Sequence, residues 1–210
     1  MDLHTWLLYT TVAFIAIVSP GPAVLLAINN SIKYDITAVV FSSLGNILGL
    51  FILSAGAMLG LGVVLNTSLL LFTAFKIIGA LYLIYIGWKQ LRNINNIFAN
   101  VNLEGQKSKK EYFFIFKRGF LICITNPKPI IFFTALFPLF LNPESSLVSQ
   151  FFILTFTFMA LSFSTLMSYA FFTRSLKKWF STHHRARWFN RISGAIFVAL
   201  GLGMLGLERR

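Results

Sequence analysis

Few side chains inside the apolar stretches of this sequence can do chemistry, and the strongest candidates sit beside prolines. Two runs stand out: Ser19-Pro20-Gly21-Pro22 and Asn126-Pro127-Lys128-Pro129. Each proline deletes a backbone N–H, and its ring crowds the carbonyl four residues earlier. Both runs lie inside long apolar stretches, where no water would accept the freed carbonyls. In hydrocarbon such breaks survive only where protein or a water-filled cavity supplies the missing partners. Two paired breaks therefore predict irregular backbone facing a cavity, rather than simple kinks. Lys128 adds a charge that costs roughly 2.5–3.5 kcal/mol at the bilayer centre. It must face a cavity, a carbonyl cage or an anionic ligand such as a substrate carboxylate. The blander reading is a lysine that snorkels or satisfies orphan carbonyls of its own broken helix.

Other polar groups are weaker candidates. Gly45-Asn46-Ile47-Leu48-Gly49, Gly56 and Gly60 place glycines four apart, a spacing that lets helices approach closely. Packing is the default reading of that stretch, and Asn46 is a candidate for the cavity wall. Ser162, Ser164, Thr165, Ser168 and Tyr169 hint at a polar wall on a later segment, although hydroxyls in helices usually bond within their own helix. The single Cys123 has no partner for a disulfide or thiol relay and reads as a small core hydrophobe. His183-His184 reads as solvated surface and Lys76 as snorkelling from a span end. All six carboxylates, Asp2, Asp35, Glu104, Glu111, Glu144 and Glu208, fall in loops or at span ends, so the group that usually carries a proton relay is missing from mid-membrane. No metal site and no cofactor are expected.

The elements that must position these residues are spanning helices. Hydrophobic residues make up 57% of 210 and charged residues 11%, against about 25% charged in soluble domains. Six apolar segments can be read: Leu3 to Ile28, Thr37 to Leu65, Thr67 to Leu91, Phe113 to Leu141, Leu147 to Phe172 and Trp188 to Leu207. Each exceeds the ~18 apolar residues that suggest a span. The first starts Met1-Asp2-Leu3-His4 without a positive region, so it reads as a span and not a cleaved signal. The loops after segments 1, 3 and 5, with their flanks, hold one, seven and six positive residues of the 18 Lys and Arg. The opposite side holds only Arg209 and Arg210. The positive-inside rule then puts both termini on the non-cytoplasmic side. The net charge of +12 reads as topology and attraction to anionic lipid of the bilayer, with no nucleic-acid partner.

The breaks look related. Pro20-Gly21-Pro22-Ala23-Val24-Leu25-Leu26 parallels Pro127-Lys128-Pro129-Ile130-Ile131-Phe132-Phe133, one in segment 1 and one in segment 4. Three helices per half would insert the halves upside down relative to each other. Matched broken helices in inverted repeats point to a binding site at the membrane midplane. The expected fold is therefore an all-α polytopic membrane protein in one transmembrane domain. It has six transmembrane helices in two inverted three-helix repeats, residues 1–91 and 113–210, joined by a cytoplasmic linker, 92–112. Its helices 1 and 4 are broken by Pro-x-Pro.

These residues also carry a resemblance to the LysE/RhtB family of bacterial amino-acid exporters, on its homoserine, threonine and neutral amino-acid branch. The likeness lies in Ser19-Pro20-Gly21-Pro22, in the stretch Lys76 to Arg92 with Gly79-Ala80-Leu81-Tyr82-Leu83 and Gly87, and in Arg118-Gly119-Phe120 followed by Asn126-Pro127-Lys128 and Phe137-Pro138. It implies a multi-pass exporter of the bacterial inner membrane that moves amino acids or close derivatives. It further implies proton-driven transport and a homo-oligomer. Two departures matter. Many members have Gly where Asp35 stands, and some have Asp where Ser162 falls. Without that carboxylate a cationic substrate loses its partner, which favours a neutral amino acid or a derivative such as homoserine.

The expected substrate-binding residues are Pro20, Gly21, Pro22, Asn46, Asn126, Pro127, Lys128, Pro129 and Tyr169. The alternative is an inorganic or metal ion exporter of a related six-helix fold, which would need intramembrane His, Asp or paired Cys ligands. A membrane enzyme would need an acid or a nucleophile with its base, and a packing subunit has no use for broken backbone at mid-depth.

Overall fold

A computed structural model describes residues 1–19, 21–67, 69–92, 111–173 and 183–206, and within these every regular element is helical. The elements are α1 (Leu3–Val18), α2 (Pro22–Lys33), α3 (Ile36–Thr67), α4 (Leu69–Arg92), α5 (Tyr112–Thr125), α6 (Pro127–Ile131), a π-helical turn (Phe132–Leu136), a 3-10 turn (Phe137–Phe140), α7 (Leu147–Phe171) and α8 (His183–Gly206). Pro20, most of the 92–112 linker and the basic stretch 174–182 lie outside the described residues, as do the side chains of Lys76, His183 and His184.

Two helices are long and apolar enough to cross a membrane by themselves, α3 over Ile36–Gly60 and α7 over Leu147–Phe171. Two bent pairs qualify when each is taken as one span: α1 with α2, bent by 57°, and Tyr112–Thr125 with Pro127–Phe140, bent by 51°. Only 44% and 39% of the apolar windows of α3 and α7 are buried in the protein. The rest of those faces, with Leu44, Leu48, Ile52, Phe152 and Phe156 exposed, is apolar surface that suits lipid.

The bends lie where the prolines put them. A residue before proline is pushed out of the helical region. Ser19 has φ −57°, ψ 119°, and Asn126 has φ −78°, ψ 119°, so the two pre-proline residues share one ψ. Gly21, before Pro22, is fully extended at φ −151°, ψ −170°. Pro22 and Pro127 then stand at the first positions of α2 and α6, where a missing N–H costs nothing. Segment 1 thus runs on past Ile28 to Lys33, and segment 6 begins at His183, upstream of Trp188.

The core packs α3 against α5 and α7, with α1 and α2 also on α7. Close approach between α3 and α5 depends on two glycines: a Cβ on Gly45 would run into the Phe116 carbonyl, and one on Gly119 into the Ser42 carbonyl. Gly49 faces Cys123, which is fully buried and fills the core as a small hydrophobe. Gly56 and Gly60 have the same spacing, but nothing among the described residues lies within 4 Å of a Cβ at either. At the centre, Tyr9 meets the rings of Phe132, Phe137 and Phe140 edge-on at 5.8, 6.4 and 5.2 Å, and Phe132 and Phe133 meet Phe158 at 4.6 and 4.9 Å. Edge-to-face pairs of this kind add about 0.5–1.5 kcal/mol each beyond burial.

α4 packs chiefly on α8 and also touches the π-helical turn and α3. The backbones of α4 and α8 touch: a Cβ on Gly87 would lie 2.6 Å from the Gly194 carbonyl, one on Gly194 the same from the Gly87 carbonyl, and one on Gly201 2.7 Å from the Ala80 carbonyl.

Candidate functional site

The two breaks face each other across a cavity. It is lined at one end by Ser19, Gly21, Asn46, Asn126, Lys128, Pro129 and Ser162, and elsewhere by apolar side chains including Ala16, Val24, Leu50, Phe132, Phe158 and Leu166. Its volume of about 60 Å³ exceeds the ~10–15 Å³ a single water needs. Residues of α1, α2, α3, α6 and α7 and the two breaks thus meet around one cavity in an apolar bundle.

Each break leaves backbone groups that the fold satisfies individually. Pro22 would have donated to the carbonyl of Val18 in an unbroken helix, and it has no N–H to give. The phenol of Tyr169 on α7 donates to that carbonyl instead, at 2.8 Å. The Ser19 carbonyl, next along, receives the Lys128 ammonium. The Ser19 hydroxyl is fixed by Gln90 on α4, whose amide donates to it at 3.0 Å and accepts from it at 3.2 Å. At the second break the Asn126 carboxamide oxygen accepts the Lys128 N–H at 3.1 Å, an N-cap on α6. The Asn126 N–H turns back to the Cys123 carbonyl at 3.2 Å, the acceptor that Pro127 cannot serve. Beyond α6 the ladder loosens into the π-helical turn, a form that recurs at functional sites, and this turn carries Phe132 into the cavity wall.

Asn46 on α3 donates from its side chain to the Ser162 hydroxyl on α7 at 3.1 Å, and both are buried. No carboxylate lines the cavity among the described residues, and no cluster of three His, Cys, Asp or Glu occurs among them. The polar inventory is therefore one ammonium, two amides, two hydroxyls and the backbone of the breaks. It can hold a carboxylate through Lys128 and an ammonium through backbone carbonyl.

Of the residues expected at the site, Gly21, Asn46, Asn126, Lys128 and Pro129 line the cavity. Pro22 and Pro127 are exposed and shape the half-helix starts without lining it. Tyr169 is buried but reaches the break through Val18 instead of lining the wall. Pro20 lies outside the described residues. Ser162 drew attention in the sequence as part of a polar wall and as a departure from an acidic position, and here it pairs with Asn46. Ser19 marked a break; its role as carbonyl acceptor for Lys128 and its pairing with Gln90 had no signal in the sequence, because neither partner is near it along the chain. The hydroxyls of Ser168 and Thr173 bond carbonyls of their own helix, at 2.7 Å each, as is usual for such groups. Asp35 is a helix cap: its carboxylate accepts the Ala38 N–H at 3.0 Å at the start of α3.

Broken helices around a polar cavity, in a bundle with apolar outer faces, define a helical membrane translocator. Over residues 14–206 the sequence matches the family described as LysE type translocator, and the chain belongs to that family. It is 29% identical over 201 residues to the homoserine/homoserine lactone efflux protein of Salmonella typhimurium, an alignment covering 96% of each chain. It is 28% identical over 205 residues to the uncharacterized membrane protein YrhP of Bacillus subtilis, covering 95% of this chain and 98% of that one. An uncharacterized membrane protein of Vibrio cholerae is 30% identical over 206 residues, with 96% and 97% covered. No solved structure matches the chain.

Proposed function

We propose that this protein exports free amino acids, neutral ones such as homoserine, across the bacterial inner membrane by alternating access. The observation that carries the reading is Lys128. It is an ammonium at the meeting point of two broken helices, in a cavity with no carboxylate among its described lining residues. A solute with a carboxylate gives that ammonium a charged partner, and a neutral side chain asks for no acid in return. Relatives named for homoserine and homoserine lactone efflux support the same substrate class.

In this reading α4 and α8, at 24 residues each, complete six spans. Each is ~36 Å long at 1.5 Å per residue, enough to cross a hydrocarbon core of ~30 Å. The shared ψ of Ser19 and Asn126 supports two inverted halves, 1–91 and 113–210, that rock about the breaks. The excess of Lys and Arg after segments 1, 3 and 5 puts those loops in the cytoplasm and both termini outside it. The resemblance adds homo-oligomers to the reading. Pro20, Pro22 and Pro127 set the hinge, while Gly21, Asn46, Asn126, Lys128 and Pro129 bind.

The test is release of radiolabelled amino acids from preloaded proteoliposomes. Wild-type protein should release homoserine and other neutral amino acids; Lys128→Met should lose this and Lys128→Arg should keep part of it. Release by wild type no faster than from empty liposomes, for every amino acid tried, would end the reading.

A further inference from the structure

We propose that the hydrogen bond between Lys128 and Ser19 is a stand-in for the substrate, and that a zwitterion exchanges into it and unlatches the two breaks. This rests on the export reading above and adds which ligand chemistry the site demands and what binding does to the fold.

Two of the carbonyls that lost their helical donors at the end of α1 are closed by side chains from elsewhere in the chain. One, Val18, is closed by a buried phenol that belongs to α7 and has few rotamers to move through. The other, Ser19, is closed by the tip of a long flexible lysine from the opposite half, across 109 residues of chain. The first cap is fixed, and the second is exchangeable. The Ser19 residue itself stays where it is, because Gln90 holds its hydroxyl from both amide atoms.

The bond thus joins a cation and a carbonyl dipole, each partly desolvated and each lacking a better partner. An α-amino acid carries the complement of both on adjacent atoms. Its carboxylate takes Lys128 in a charge-assisted bond, stronger than the ammonium–carbonyl bond it replaces. Its ammonium takes the Ser19 carbonyl, at the negative end of α1. Every group remains paired after the exchange, and the contact that ties α1 to α6 is gone. A ligand with a carboxylate alone leaves the Ser19 carbonyl bare. A ligand with an amine alone must displace Lys128 and leaves two cations in a cavity whose described lining has no carboxylate to offset them. A buried group left unpaired costs on the order of tenfold to a hundredfold in affinity.

The experiment uses the full chain in nanodiscs, in a Cys123→Ala background, with spin labels at Phe14→Cys on α1 and Leu121→Cys on α5, both exposed positions. Three probes are added: L-homoserine, 4-hydroxybutyrate (homoserine without its amine) and 3-aminopropanol (homoserine without its carboxylate). The expected result is a changed label distance with homoserine, and binding at least about tenfold weaker with little distance change for the two truncated probes. Lys128→Met should show the changed distance without ligand, and Lys128→Arg should keep the unliganded one. The proposal is overturned if either truncated probe shifts the distance as fully as homoserine. It is equally overturned if homoserine is exported with no distance change, an outcome that leaves the export reading standing. Where no amino acid is exported at all, that reading fails instead, and an unliganded Lys128→Met with the wild-type distance still rules out the latch on its own.

Discussion

The ammonium of Lys128 donates to the carbonyl of Ser19, and so the two prolyl breaks of this chain satisfy each other. The backbone group freed by the first break is the acceptor for the charge embedded in the second. Removing either partner strands the other, since an unpaired ammonium or carbonyl in an apolar bundle is costly. The pairing also explains how a lysine can be kept at this depth without a carboxylate beside it. It is neither snorkelling nor capping its own helix.

Ser162→Asp should change which substrates compete. The hydroxyl of Ser162 lies 3.1 Å from the Asn46 amide on the cavity wall, so an aspartate there adds the acid that the wall lacks. Homoserine export should fall, and the ratio of lysine to homoserine transport should rise by about tenfold, the size of one charge-assisted bond. Counterflow with both labelled amino acids measures it. An unchanged ratio would mean Ser162 does not face the substrate.

Tyr169→Phe removes the phenol that donates to the Val18 carbonyl and should destabilise the protein by about 1–3 kcal/mol, the cost of stranding a buried acceptor. A lower melting temperature in detergent is expected, with a transport defect milder than that of Lys128→Met. A melting temperature equal to wild type would show that water can replace the phenol.

Gly119→Ala and Gly56→Ala make opposite predictions from one substitution. At Gly119 a methyl collides with the Ser42 carbonyl and forces α5 away from α3, for about 1–3 kcal/mol of destabilisation. At Gly56 nothing among the described residues stands within 4 Å, so alanine should be neutral or gain up to ~1 kcal/mol from helix propensity. Thermal unfolding of the two variants side by side decides the matter, and a Gly56 variant as damaged as the Gly119 one would refute the packing described.

Gln150→Leu should loosen the turn before α7. The Gln150 side chain is 1% exposed; its oxygen accepts the Asn142 N–H at 2.8 Å and its amide donates to the Asn142 carbonyl at 2.9 Å. Losing both strands the Asn142 N–H, worth about 1–3 kcal/mol if it stays dry, while the Asn142 carbonyl keeps the Ser145 N–H at 3.2 Å. Hydrogen exchange at Asn142 should accelerate, and protection there matching wild type would count against the contact.

The sequence was most legible where its physics is local. Proline acts on the four residues before it, so both breaks and the exposure of Lys128 to a cavity could be read from the chain. Composition made the membrane reading equally direct. What stayed hidden was pairing across distance. Tyr169 was picked as a wall residue, but its target is a carbonyl on another helix, and no spacing encodes that. Gln90 was not picked at all. The glycines show the limit well: Gly45 and Gly49 meet α5, while Gly56 and Gly60, at the same spacing on the same helix, meet nothing among the described residues. Spacing tells which residues share a face, and only the fold tells whether that face has a neighbour.

The backbone contact between Gly87 and Gly194 has a consequence for how the protein is made. The ribosome delivers α4 roughly 100 residues before α8, which at ~5–20 residues per second is about 5–20 s. Through that interval the glycine face of α4 has no partner of its own chain to close on. The other bundle helices, α1 to α3 and α5 to α7, can meet in the order of their synthesis. Biogenesis therefore ends on one late docking event, and a chain truncated before Gly194 should be inserted in the bilayer yet left for quality control to clear.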